Sequence, residues 1–162
     1  GYDVIAVGKI KDIFNTEGVT EAYKTVSNDN GMDITINLTE KDFTGLCFIN
    51  LVDFDMEFGH RRNVEGYAKS IEDFDKKLGT LINSLNEDDL LILTADHGND
   101  PTWTGSDHTR ENVPFVLYSK SLNEGQYLGE YDTFGVIGST VADNFNIEIS
   151  SLLGVSVLEN LK

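Results

Sequence analysis

Two short apolar runs separated by one long amphipathic stretch constrain the fold of this chain most. The runs are GLCFINLV over Gly45–Val52 and LLILTA over Leu90–Ala95. Each is almost free of polar residues, which is typical of a strand buried on both faces. Between them, apolar residues recur every three or four positions over 64–85, which predicts a long helix with Asn63 as its N-cap. Strand, helix and strand in this order predict a right-handed βαβ crossover and an α/β fold.

The rest of the chain carries weaker signals of the same kind. Short apolar runs indicate further strands, and apolar residues at helical spacing indicate further helices. The length of 162 residues fits one domain. The additional predicted elements are strands over Tyr2–Val7 and Val113–Tyr118 (with Pro114 favouring a sheet edge or a strand start), short helices near Val19–Val26 and Met32–Glu40 separated by a turn at Asn28–Gly31, and a helix over Gly135–Phe145.

The charge balance limits the possible partners. The chain has 12 Lys and Arg against 28 Asp and Glu, a net charge of −16. Such a surface repels nucleic-acid backbones and anionic membranes, and it permits cations. No apolar stretch approaches the roughly 18 residues of a membrane span. Cys47 is the single cysteine, so no internal disulfide forms. We therefore expect a soluble, cytoplasmic protein.

All three histidines lie in segments rich in acidic residues. These segments are Asp53–His60, Thr94–Gly98 and Ser106–Thr109, and the first two directly follow the two apolar runs. Ligand sites of parallel α/β sheets form beyond the carboxyl ends of the strands. Aspartate oxygen and neutral imidazole nitrogen together suit Mn²⁺ or Zn²⁺. Five or more ligands suit two ions, held about 3.5–4 Å apart, that stabilise charge on a transferring phosphoryl or sulfuryl group.

Several charged residues near these segments keep two interpretations. Asp53 either orients a ligand or is merely solvated. Arg61 and Arg62 either bind a phosphate or pair with nearby acids, and the many carboxylates favour ion pairs. Cys47 lies among apolar strand residues, which predicts an inert, buried thiol.

Longer motifs carry a resemblance to a known family. LLILTADHGNDPTW and GSDHTRENVPFVLY resemble the metal-binding half of the alkaline phosphatase superfamily. Within it, NLVDFDMEFGHRRN and GKIKDIF are similar to the phosphopentomutase family, whereas the related phosphoglycerate mutases carry GHTG in place of GHRR. The likeness runs from about Tyr2 to the end of the chain. It implies that 1–162 form the C-terminal part of a metal-binding core domain, with an alkaline-phosphatase-like core sheet and flanking helices.

The resemblance also implies an activity and its residues. The family interconverts ribose 1-phosphate and ribose 5-phosphate, and the deoxyribose analogues, through a phosphothreonine. That threonine and a further metal-binding aspartate belong to an N-terminal segment that precedes a cap domain, and nothing here matches that segment. No catalytic nucleophile is therefore expected in this chain, and we expect it to be inactive alone. The implied site residues are Asp55, His60 and His108 for one manganese ion, Asp96 and His97 for a second, and Lys9 for the substrate phosphate.

Two other functions remain open at this point. Another phosphate- or sulfate-ester hydrolase of the superfamily, or a phosphoglycerate mutase, would use the same kinds of metal ligand. A non-enzymatic, acidic metal-binding module would use them without any reaction.

Overall fold

The structure is a computed structural model that describes residues 1–148 and 154–161. The chain divides into two units, Gly1–Leu117 and Tyr118–Lys162. Within the described ranges, no helix combines the length and the apolar character needed to cross a bilayer. The elements are β1 (Asp3–Val7), α1 (Ile10–Ile13), β2 (Glu21–Tyr23), α2 (Asn28–Leu38), β3 (Gly45–Ile49), a π-helical segment (Phe54–Gly59), α3 (Val64–Ser84), β4 (Leu91–Thr94), β5 (Phe115–Tyr118), α4 (Gly135–Asn144) and a 3₁₀ turn (Leu158–Leu161).

Three parallel strands form the main sheet of the first unit, in the order β2-β1-β3. Ile5 of the central strand pairs with Glu21 on one side and with Cys47 on the other. Ile5 and Val7 are at most 2% exposed, and Leu38 of α2 covers them. The α/β class predicted from the apolar runs is therefore confirmed.

The predicted elements before β3 are partly wrong. The expected helix near Val19–Val26 is instead the strand β2, which pairs with β1. The expected turn at Asn28–Gly31 is instead the first turn of α2, which begins well before Met32. The reason is a local cap, because the Ser27 hydroxyl accepts a hydrogen bond from the Asn30 amide at 3.1 Å. An Asn- and Gly-rich sequence that favours a turn in isolation therefore continues as a helix.

The predicted βαβ crossover is also only partly observed. The order β3, α3, β4 is as predicted, but within the described residues β3 pairs only with β1, and β4 pairs with β5 in a separate two-stranded sheet. β5 begins directly after Pro114, as expected for a residue without an N–H group. The apolar run of β3 is not buried on both faces either, since Phe48 is 42% exposed. The face of β3 that carries Phe48 is therefore only partly covered by the other described residues.

The second unit is built around α4, which confirms the helix predicted over Gly135–Phe145. Thr140 is fully buried in it. Its hydroxyl donates to the Val136 carbonyl at 2.7 Å and accepts from the Val157 amide at 3.1 Å. The satisfied hydroxyl joins α4 to the segment that leads into the 3₁₀ turn.

Replacing Asn63 should destabilise the first unit through α3. The Asn63 side chain accepts a hydrogen bond from the Gly66 amide at 3.0 Å, as the predicted N-cap does. We expect Asn63→Ala to lower the free energy of unfolding by about 1 kcal/mol, and Asn63→Asp to keep it, because Asp is an equally good cap. Urea unfolding followed by circular dichroism measures both. Equal losses in the two variants would contradict the capping role.

Candidate metal centre

The segments that follow β3 and β4 place three side chains in one cluster. Asp55 lies in the π-helical segment after β3, and His60 follows the end of that segment. The loop after β4 returns through an antiparallel bridge between Gly98 and Thr109, which brings His108 to the same place. The three side chains that the family resemblance assigns to one ion therefore lie together.

The donor atoms of the cluster lie within 4.8 Å of one another. The Asp55 carboxylate oxygens are 3.3 Å from His60 Nε2 and 3.4 Å from His108 Nε2. The two Nε2 atoms are 3.2 Å apart. All three side chains are partly exposed, so an ion could reach them from solvent. One carboxylate and two imidazoles converging on one point make a mixed oxygen and nitrogen donor set.

A backbone contact fixes the protonation pattern of His60. Its Nδ1 lies 2.5 Å from the Ser106 carbonyl oxygen. A carbonyl oxygen only accepts hydrogen bonds, so Nδ1 carries the proton and donates it. In the neutral ring, Nε2 then keeps its lone pair toward Asp55 and His108. This arrangement, in which the second ring nitrogen is held by a carbonyl, is typical of metal-ligating histidines.

His97 and Asp96 lie beside the cluster. The His97 ring stacks on His108, with centroids 3.6 Å apart and planes at 18°. Asp96 Oδ1 is 3.6 Å from His97 Nε2, and the Asp96 side chain is 80% exposed. The structure thus brings these two residues next to the three-residue group without including them in it.

Lys9 lies at the same edge of the sheet. It directly precedes α1, and its ammonium group donates to the Met56 sulfur at 2.9 Å. Met56 is the neighbour of Asp55 in the chain, so Lys9 contacts the segment that carries Asp55. A thioether is a weak and uncharged acceptor. This contact leaves the positive charge of Lys9 available to an anion.

The surroundings of the cluster are electrically negative. Burial raises the pKa of Tyr67, and the charges of Asp55, Asp100 and Glu111 raise that pKa further. Carboxylates around a phenol disfavour its ionised form. The same charges would repel a phosphate group, so any phosphate that binds here needs a cation to invert the local field.

Comparison with known proteins identifies the family. Residues 3–149 match the model of the metalloenzyme superfamily. The chain belongs to the metalloenzyme superfamily. It is 60% identical to a phosphopentomutase of Agathobacter rectalis and 56% identical to phosphopentomutases of Clostridium botulinum and Clostridium perfringens, over 99% of its own length. It spans about 41% of the length of each of these relatives.

The residues of this metalloenzyme chain fit the kind of metal that the superfamily implies. Membership implies use of a divalent cation, and Asp55, His60 and His108 supply the ligand atoms that borderline divalent ions accept. With only Cys47 in the sequence, a zinc finger of the kind held by two or more thiolates is excluded. Cys47 is partly buried rather than fully buried as predicted, and this burial raises the pKa of its thiol to about 11, which favours the unreactive, protonated form.

The structure shows the contacts of Asp53 and Arg61, two charged residues for which the sequence leaves two interpretations open. Asp53 exchanges hydrogen bonds with Asn28: its carboxylate accepts from the Asn28 amide at 2.6 Å, and its own amide donates to Asn28 Oδ1 at 2.9 Å. It therefore neither orients a cluster residue nor is merely solvated. Arg61 pairs with Glu57 at 2.8 Å, which confirms the favoured ion pair. This exposed pair adds little stability.

Arg62 differs from the prediction. Among the described contacts it forms no ion pair, because it donates to four backbone carbonyls and to the Asn99 side chain, and its contact with a phosphate stays a prediction. Asn99 in turn contacts Asp55 and was not predicted at all. Hydrogen bonds to backbone oxygens depend on where loops meet, so no side-chain pattern along the sequence signals them.

Proposed function

We propose that this chain forms the metal-binding part of a phosphopentomutase that interconverts ribose 1-phosphate and ribose 5-phosphate, and their deoxyribose analogues. The observation that carries the proposal is the convergence of Asp55, His60 and His108 beyond the ends of β3 and β4. The phosphopentomutases that match nearly the whole chain support it. Its substrate is then a sugar phosphate, and its working compartment is the cytoplasm.

The proposed cofactors are two manganese ions. Asp55, His60 and His108 would hold one, and Asp96 and His97 would contribute to holding the other. When bound, such cations stabilise negative charge on phosphoryl oxygens and on an attacking hydroxyl oxygen. His60 is prepared for this role by its Nδ1 contact with the Ser106 carbonyl, which keeps Nε2 free of a proton in the neutral ring.

The proposal places the nucleophile outside this chain, together with an N-terminal core segment and a cap domain. The unpaired edges of β3 and β4 within the described residues support a sheet that is completed by another segment. The partly exposed Phe48 supports the same conclusion, because a buried strand of an α/β sheet is normally covered on both faces. In this proposal, 1–162 form the C-terminal part of the core domain.

An activity assay on the complete polypeptide that contains this chain tests the proposal. We expect conversion of ribose 5-phosphate to ribose 1-phosphate, dependent on a divalent cation. Preference for 3-phosphoglycerate or for an aryl phosphate or sulfate would instead indicate another member of the superfamily. Metal binding without any of these reactions would indicate a non-enzymatic metal-binding module.

Removing the charge of Lys9 should weaken substrate binding in that polypeptide. We propose that the ammonium group, which contacts Met56 in the segment that carries Asp55, binds the substrate phosphate. A charge-assisted hydrogen bond of this kind contributes about 1.5–3 kcal/mol. We therefore expect Lys9→Met to raise KM for ribose 5-phosphate by about 10- to 100-fold, and the nearby exposed Lys11→Met to leave it unchanged. Equal KM values for Lys9→Met and the parent would exclude the contact.

A further inference from the structure

Arg62 joins the two loops that carry the cluster. Its Nε donates to the Gly105 carbonyl at 2.6 Å, and its Nη2 donates to the Asp107 carbonyl at 2.5 Å. Its Nη1 donates to the carbonyls of Gly59 and Asp100, both at 3.0 Å. The planar guanidinium group has donors in several fixed directions, so a single side chain can hold all these oxygens. Arg62 thereby ties the loop after β3 to the loop after β4.

The backbone of Arg62 ends the helical segment that precedes it. Its φ angle is 52°, in the left-handed region that non-glycine residues rarely adopt. The Asn63 backbone amide donates to the Phe58 carbonyl at 3.0 Å, and the Arg62 backbone amide donates to the Gly59 carbonyl at 3.1 Å, which are the two bonds of a left-handed helix cap. The positive φ angle is therefore that of a helix cap.

The fifth acceptor of Arg62 is the side chain of Asn99, which is 9% exposed. Because Nη1 carries two protons and has three acceptors, one of these protons is shared between two oxygens. Arg62 Nη1 lies 2.6 Å from Asn99 Oδ1, and Asn99 Nδ2 lies 2.6 Å from Asp55 Oδ1. A guanidinium group only donates, so the amide oxygen must face Arg62. The amide nitrogen therefore faces Asp55 and donates to its carboxylate.

The Asn99 amide lies against the backbone of Gly59. A Cβ atom on Gly59 would lie 2.4 Å from Asn99 Nδ2. Only the bare backbone of a glycine leaves room for the amide at this place. Gly59 therefore makes room for the amide, and Arg62 sets which end of it faces the carboxylate.

We infer that Arg62 is a positioning residue that acts through Asn99 on the Asp55 carboxylate. With one oxygen held by the amide, the carboxylate directs its two oxygens toward the two imidazoles of the cluster, at 3.3 and 3.4 Å. Arg62 also donates hydrogen bonds to the carbonyls of Gly105 and Asp107, the two neighbours of Ser106. The Ser106 carbonyl itself accepts the hydrogen bond from His60 Nδ1. The inference rests on the proposed function only in taking Asp55 as a metal ligand.

The Asn99 side-chain amide reports on this arrangement without any metal. We expect NMR of the metal-free chain to show slowly exchanging Asn99 amide protons. In Arg62→Lys the exchange should be at least about tenfold faster, because one ammonium group cannot reproduce the fork that fixes the amide. The control is Arg61→Lys, which alters an exposed pair with Glu57 and should leave the exchange unchanged. Unchanged exchange in Arg62→Lys would overturn the inference.

Titration with Mn²⁺ tests the consequence for the cluster. Changes to residues that orient metal ligands cost about 10- to 100-fold in affinity, so we expect that loss in Arg62→Lys and no loss in Arg61→Lys. Asn99→Ala leaves the four backbone contacts of Arg62 in place and should show the same loss. If Arg62→Lys does not fold, the Mn²⁺ affinity of Asn99→Ala provides the test instead. Parent-like affinity in a folded Arg62→Lys or in Asn99→Ala overturns the inference. If the parent itself binds no Mn²⁺, the proposed function fails, and the amide exchange alone decides whether Arg62 positions Asn99.

Discussion

Replacing Asp55 by asparagine should abolish tight binding of Mn²⁺ by this chain. The change removes the carboxylate that lies between the two imidazoles and leaves a neutral amide as a poor ligand. Mutation of a residue that only orients a metal ligand lowers metal affinity about 10- to 100-fold. Loss of the central ligand itself should therefore lower the affinity for Mn²⁺ by more than about 100-fold. The amide oxygen can still accept the hydrogen bond from Asn99, so the fold should be retained. Isothermal titration calorimetry measures the affinity, and thermal unfolding measures the stability.

Asp53→Asn provides the matched control for this prediction. It removes one negative charge, as Asp55→Asn does, at a position only two residues away. The Asp53 carboxylate accepts a hydrogen bond from the Asn28 backbone amide and is not part of the cluster. An amide oxygen can keep that hydrogen bond. We expect the affinity for Mn²⁺ to change by less than about threefold, because a partly exposed charge outside the cluster is worth only tenths of a kcal/mol. Equal losses in Asp53→Asn and Asp55→Asn would indicate a diffuse attraction of cations to an acidic surface.

The purified 162-residue chain should not interconvert ribose 1-phosphate and ribose 5-phosphate. Phosphoryl transfer through a covalent intermediate needs a nucleophile beside the metals. Two threonine hydroxyls of the loop after β4 have other partners: Thr102 donates to Asp100 at 2.7 Å, and Thr109 donates to Glu111 while accepting from the Asp100 backbone amide at 2.6 Å. A coupled assay for ribose 1-phosphate, run with Mn²⁺, should give the background rate.

Thr109→Val sharpens this second prediction. Thr109 is next to His108, and its hydroxyl donates a hydrogen bond to the Glu111 carboxylate. It is therefore the hydroxyl that we test as an alternative nucleophile within this chain. In the complete polypeptide we expect Thr109→Val to keep the phosphoenzyme intermediate detectable by mass spectrometry, on a residue outside 1–162. Activity of the isolated chain that disappears in Thr109→Val would place the nucleophile here and contradict the proposal.

Periodicity predicted the elements that depend on their own residues. The spacing of apolar residues gave α3 and α4, and the short apolar runs gave β1, β3, β4 and β5. The prediction for the region between Val19 and Gly31 was wrong because contacts that a helix or turn propensity does not include determine its structure. β2 exists as a strand through its pairing with β1, and α2 starts at Asn28 through the Ser27 cap and the bonds of Asn28 with Asp53. Local propensity does not contain these contacts.

The candidate site divides in the same way. A metal site formed by the acidic, histidine-containing segments after β3 and β4 could be predicted because ligand sites form beyond strand ends and because these side chains bind metals, whereas the grouping of Asp55, His60 and His108 followed from the family resemblance. Arg62 and Asn99 could not, because their importance lies in which oxygens of two distant loops they reach. The roles of Asp96, His97 and Lys9 stay predictions, since Asp96 and His97 lie beside the cluster and Lys9 contacts only Met56 among the described hydrogen bonds.

Anomalous diffraction from crystals of this chain soaked in Mn²⁺ tests most directly whether the cluster is a metal site. We expect a strong manganese peak about 2.0–2.3 Å from Asp55, from His60 Nε2 and from His108 Nε2, the separations usual for oxygen and nitrogen ligands. Manganese bound only at other acidic positions, with these three side chains pointing apart, would contradict the metal site and with it the proposed function.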